Sequence, residues 1–102
     1  MTNNQILVNE TAKNDLQNIV NYLKFNFKSP ALAHKFLIGI EQTMSELAYF
    51  PQKFQLVSDS FLTKRGFRKI HYKNYLIFYT INIDQKIVYI HRILYYAENG
   101  HN

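Results

Sequence analysis

The chain has 102 residues, no cysteine, a formal net charge of +5, a pI near 9.5, and 47% hydrophobic against 19% charged residues. Those values bound it to one globular domain with a single modest core, and exclude disulfides, a thiolate metal site and a cysteine nucleophile. The positive balance favours an acidic partner: nucleic acid, an acidic protein or an anionic surface.

Residues 4–8 (NQILV) are short and β-prone, and predict a first strand. Asn9 or Thr11 can cap a following helix, with Glu10 and Asp15 suited to the positive end of its dipole. Ala12, Leu16, Ile19, Val20, Leu23 and Phe27 then recur at helical spacing, which predicts one apolar face running to Phe27. Lys28-Ser29-Pro30 marks a break, with Ser29 as N-cap and Pro30 at the first helical position, where its missing N–H costs nothing. A second helix carries Ala33, Phe36, Leu37, Ile40, Met44, Leu47 and Ala48 on one face and ends at Phe50-Pro51. The short break predicts an antiparallel helical hairpin, its two stripes facing a common core.

Residues 52–63 read as irregular, with no repeat or low-complexity run. From Gly66 the chain predicts three strands, joined tightly at Lys73-Asn74 and again at residues 82–85. The order is β-α-α-β-β-β, an α+β fold with the helical hairpin packed on one face of a small, mainly antiparallel twisted sheet. Alternation along the last strand places Val88, Ile90, Arg92, Leu94 and Tyr96 on one face. Ile87, Tyr89, His91, Ile93 and Tyr95 fall on the other. Neither set is purely apolar, so the helices should cover one face and leave the second aromatic and basic. With eight Tyr and eight Phe, some aromatic rings must reach the surface.

Residues 64–73 (KRGFRKIHYK) hold five of the twelve basic residues and no acid. Such a stretch can be a solvated edge strand that discourages edge-to-edge aggregation, or a phosphate-binding surface. It can also carry chemistry. Cleavage of RNA by its own 2′-OH needs a base, an acid and cations around the phosphorane. His71, His91, Tyr72 and Tyr95 could move protons there, while Lys64, Arg68, Lys69 and Arg92 could stabilise charge. No phosphate-cradling glycine loop, no His-Glu-x-x-His helix and no Gly-x-Ser-x-Gly elbow is present, and His34, His71, His91 and His101 lack metal-ligand spacing. The N-terminus has no signal-peptide pattern, and the longest apolar run, residues 75–81, is too short to span a bilayer. The expectation is a soluble, cytoplasmic protein with no membrane partner.

The order of elements and a set of residues together resemble the RelE/ParE superfamily of bacterial type II toxins. The first helix supplies Ala12, Asp15, Leu16, Ile19, Tyr22 and Leu23, and the second Ala33, Phe36, Leu47 and Pro51. Gly66, Phe67 and Arg68 follow, then Tyr75, Ile77, Phe78 and Tyr79, and finally Ile90, Arg92, Ile93, Leu94 and Tyr95. The resemblance covers residues 5–99 and implies a single toxin domain held inactive by a cognate antitoxin, with operator DNA reached only through that antitoxin. RelE-like members cleave mRNA on the ribosome without a metal, whereas ParE-like members poison DNA gyrase. The resemblance matches Arg68 to an Arg that many members carry on the second strand and sets Tyr95 near the Tyr or His that ends the last one; with His91 from the reading of proton-transfer groups, these are the catalytic candidates. Lys64, Arg65, Lys69, His71, Lys73 and Arg92 become nucleic-acid-binding candidates. The expected activity is ribosome-dependent mRNA cleavage with no cofactor. The alternatives are gyrase inhibition, and a degenerate member that only binds antitoxin and operator. Two departures bear on the choice: Ala97-Glu98 stand where many members carry a basic pair, and residues 52–63 supply no clear Glu base.

Overall fold

The computed structural model describes residues 3–96. Strand β1 (Gln5–Val8) leads into helix α1 (Glu10–Asn21), a π-helical turn at Tyr22–Asn26, and helix α2 (Pro30–Glu46). Helix α3 (Ser60–Lys64) precedes β2 (Arg68–Tyr72), β3 (Tyr75–Asn82) and β4 (Ile87–Tyr95). The sheet order is β1-β4-β3-β2, antiparallel except where β1 runs parallel to β4. This is the α+β arrangement expected from the sequence, with α3 added.

The capping chemistry is as the sequence implies. Asn9 Oδ1 accepts from Ala12 N at 2.9 Å, and Ser29 Oγ accepts from Leu32 N at 3.1 Å with Pro30 beginning α2. Ala12, Val20, Ala33, Phe36, Ile40 and Leu47 from the helices are buried against Ile70, Ile77, Tyr79, Val88, Ile90 and Ile93 of the sheet. Together they form the single core that a chain of this length can hold.

Four expectations need correction, each for a local reason. The apolar face of α1 does not reach Phe27. A π-turn, sealed by Phe27 N donating to Tyr22 O at 2.9 Å, inserts extra backbone and swings Phe27 to 58% exposure. On α2 the buried stripe includes Gly39, whereas Leu37 lies outside it and is 41% exposed.

The strict alternation along β4 also breaks. Phe78 pairs with Arg92 but Tyr79 with Ile90, so His91 is an extra residue in a β-bulge. The helix-facing set therefore passes from Val88 and Ile90 to Ile93 and Tyr95, and the last three residues assigned to the Val88 face belong in opposite phase. Residues 52–63 are not wholly irregular: a 3₁₀ turn spans Pro51–Lys53, and Asp59 Oδ1 caps α3 at Phe61 N and Leu62 N.

Candidate functional surfaces

Register sorts the predicted site residues between the two faces of the sheet. Arg68 pairs with the buried Tyr79, so both lie on the helix side. The Arg68 guanidinium donates through Nη1 to Phe54 O at 2.6 Å and to Gln52 O at 3.4 Å, holding the segment that leads out of the 3₁₀ turn. Tyr79 ties down the same segment: its hydroxyl donates to Pro51 O at 2.6 Å. Burial pushes the Tyr79 phenol up to about 12, against a smaller opposing effect of the Arg68 charge.

His91 lies on the other face. Its ring sits 4.8 Å from Phe67, its Nε2 is 2.8 Å from Thr80 Oγ1, and its Nδ1 is 3.4 Å from Asn9 Nδ2. Since the Asn9 amide nitrogen can only donate, Nδ1 is the acceptor and Nε2–H donates to Thr80. Burial lowers the His91 pKa, so the ring is neutral at pH 7. His91 and Arg92 line a groove of about 430 Å³ with Leu62, Phe67, Phe78 and Leu94.

Arg92 is engaged within the fold. Its Nε and Nη2 donate to the two carboxylate oxygens of Asp15 at 2.8 and 3.1 Å, and Ile93 N donates to Asp15 Oδ2 at 2.9 Å. Strand β1 pairs with β4 only as far as Ile90, and Asp15 satisfies the edge of β4 beyond that point. Burial would raise the Asp15 carboxyl, but hydrogen bonds from Arg92 and Ile93 N–H, with the Arg92 charge, hold it below its ordinary value.

Tyr95, brought to the helix side by the bulge, packs edge-on against Tyr75 at 5.5 Å between ring centroids. Both belong to a cleft of about 520 Å³ with Ile19, Tyr22, Leu23 and Phe27. Burial raises the Tyr75 pKa, with smaller contributions from the phenols of Tyr95, Tyr72 and Tyr22.

The basic stretch is therefore dispersed. Lys64 closes α3, and Arg65 lies over the Phe61 ring at 4.4 Å. Lys69 and His71 share the open face with Phe78 and Leu76, their partners in β3. Lys73 sits at the hairpin tip with φ 50°, its Nζ 5.9 Å from the centre of the Tyr72 ring. Arg68, His91 and Tyr95 are not gathered at one point: Arg68 and Tyr95 occupy distant positions on the helix side, and His91 the opposite face. Among the described residues, no three His, Asp or Glu side chains converge as metal ligands would. No helix there is long and apolar enough to cross a membrane. Ala97, Glu98 and His101 lie outside the described residues.

Sequence reasoning does not single out the roles of Asp15, Tyr22, Phe27 and Tyr75. Asp15 falls within the α1 pattern, but its target, the unpaired edge of β4, is visible only once β1 is seen to end at Val8.

A family described as the ParE toxin of the type II toxin–antitoxin system parDE matches residues 6–100. No curated protein matches significantly. Among solved structures, a chain of the RelBE2 toxin–antitoxin complex from Mycobacterium tuberculosis is similar with a TM-score of 0.68 at 17% identity, over 96% of this chain and 97% of that one. A chain of the chromosomal ParDE system from P. aeruginosa gives a TM-score of 0.73 at 16% identity, over 91% of this chain and 96% of that one. At these identities the likeness is one of fold.

Proposed function

The chain belongs to the ParE toxin family of type II toxin–antitoxin systems, and from that premise we propose that it arrests growth by binding a protein target, DNA gyrase, and not by cutting mRNA. A cognate antitoxin holds it inactive, operator DNA is reached only through that antitoxin, and the protein acts in the cytoplasm. The observation that carries this reading is the dispersal of the candidate catalytic groups. Metal-free cleavage of RNA needs base, acid and cation within hydrogen-bond reach of one phosphate. Here Arg68 is committed to the carbonyls of Phe54 and Gln52, and Arg92 to Asp15. Tyr95 and His91 face opposite sides of the sheet, so those two cannot serve one scissile bond as acid and base.

A second reading rests on His91. A neutral imidazole in an open groove beside Arg92 is the chemistry of a general base, and ribosome-dependent mRNA cleavage would use it. His91→Gln separates the two. On the protein-contact reading, the variant folds and still arrests growth when induced without antitoxin. If arrest is lost while circular dichroism and melting are unchanged, the nuclease reading takes its place.

A further inference from the structure

At the bulge in β4 the His91 ring is held by Phe67, Thr80 and Asn9, and Asn9 also caps a helix. Asn9 Oδ1 accepts from Ala12 N at 2.9 Å, closing the first turn of α1, while the Asn9 backbone N–H donates to Ile90 O at 3.0 Å. A backbone N–H can only donate, so the amide oxygen faces Ala12 and the amide nitrogen faces His91 Nδ1, 3.4 Å away. One amide in one orientation thus serves both the cap and the imidazole. That orientation suits only a ring whose Nδ1 bears a lone pair, with Nε2–H turned to Thr80 Oγ1 at 2.8 Å.

A proton on Nδ1 sets N–H against NH2. Turning the Asn9 amide repairs that contact but brings its NH2 group against the Ala12 N–H, and the cap is lost. The surroundings offer the imidazolium nothing in exchange. From α1 the groove receives Asn9 and Thr11, whereas Glu10 and Lys13 do not line it; among the described residues, no Asp or Glu does. The segment before β2 contributes Leu62 and Phe67, and β3 contributes Phe78. The charged groups on this side are cations: Arg92 in the groove, Arg65 in the adjoining hollow with Thr80 and Tyr89, and Lys69 on β2 opposite Phe78, with His71 farther along that strand. Asp15 is bound to Arg92 and to Ile93 N. We propose that His91 is a proton-operated release for the N-cap of α1: once Nδ1 is protonated, Asn9 cannot serve both partners, and the first turn of the helix opens. The release is local, because Asp15 still ties the next turn of α1 to β4. Burial lowers the His91 pKa, so the change falls below pH 6.5. The switch does not depend on which target the protein has.

The test is a pH titration of the full chain by NMR, following the His91 ring carbons and the Ala12 amide together. The expected result is one midpoint for both, with the Ala12 amide moving upfield and its protection against hydrogen exchange falling by about two- to thirtyfold, the range that loss of an N-cap gives. Protection at Val20, later in α1, stays unchanged. Asn9→Asp separates this switch from a general loosening in acid. Aspartate caps as well as asparagine, and its second carboxylate oxygen can accept from a protonated Nδ1. In that variant the His91 midpoint should rise by about 1 or more in pH, and Ala12 should stay protected through it. In His91→Gln, Ala12 should not respond over the same range. An Ala12 amide that ignores the His91 titration, or follows a different midpoint, would overturn the proposal, and the unmodified chain alone decides that outcome should a variant fail to fold. So would an Asn9→Asp midpoint that is unchanged or lower. Loss of the Phe67 ring contact with Ala12 still protected would place the release in the bulge and not in the cap, and would equally overturn it.

Discussion

Gly39 lies on the face of α2 that approaches the hairpin end of β2, and Gly39→Ala tests that contact directly. A Cβ built at Gly39 would stand 2.0 Å from Tyr72 Oη and 2.1 Å from Tyr72 Cζ, well inside any allowed contact. The tyrosine ring must therefore move, although it packs 6.3 Å from the Phe36 ring on the same helix. Two opposed effects decide the sign. Alanine in a helix interior gains about 1 kcal/mol over glycine. Forcing a packed ring aside costs about 1–3 kcal/mol. The balance is a net loss of about 1 kcal/mol, which lowers Tm by about 4–8 °C in a domain of this size. Shortening the ring should reverse the sign: in a Tyr72→Val background the added methyl fills space, and Gly39→Ala should then stabilise by about 0.5–1 kcal/mol. Urea unfolding of the four proteins closes the cycle. If Gly39→Ala is neutral or stabilising with Tyr72 present, the proposed approach of α2 to β2 is wrong.

Further outcomes follow from the hydrogen-bond assignments. Tyr79→Phe leaves the Pro51 carbonyl without its buried donor and should cost about 1–3 kcal/mol in urea unfolding at pH 7. Asp15→Ala should lose about 1–2 kcal/mol, mostly through the Ile93 N–H, since the Arg92 side chain is 47% exposed and its ion pair is screened. The Asp15 pKa is lowered in the fold, so this contribution is present above the ordinary value of 3.8 and disappears as pH falls through the folded pKa. The gap between wild type and Asp15→Ala should narrow in acid, and a gap that is flat with pH would contradict the assignment. His91 has the opposite charge logic but the same slope. Its folded pKa lies below 6.5, so the unfolded chain binds the proton first and stability falls as pH drops from 6.5 through the folded value. Melting curves of His91→Gln should lack that step.

What the sequence makes legible follows from which signals are local. Both long helices, their Asn9 and Ser29 caps and the four strands rest on periodicity and capping chemistry written in neighbouring residues. The exceptions are single-residue insertions. A π-turn after Asn21 and a bulge at His91 leave the hydrophobic pattern almost intact, yet each shifts the phase of everything beyond it. That is why periodicity alone puts Phe27 and Tyr95 on the wrong faces, and why the cleft they help build is invisible in it. Helix α3 has only five residues, too few for a period to register, and is fixed by the Asp59 cap. The basic stretch is visible as composition, but its fate depends on distant partners. Arg68 finds carbonyls fourteen and sixteen residues away, and Arg92 finds a carboxylate seventy-seven residues away. Residue type suggests chemistry at these positions, and tertiary context gives both arginines partners within the fold.

A toxin that works by protein contact is told apart from a nuclease in one induction experiment without antitoxin. Message 5′-ends on translating ribosomes would be mapped within minutes of induction, alongside supercoiling by purified gyrase in the presence of the protein. Protein-contact action should leave messages intact and inhibit supercoiling. New in-frame cuts with normal supercoiling would contradict it and make His91 the first residue to test as a base.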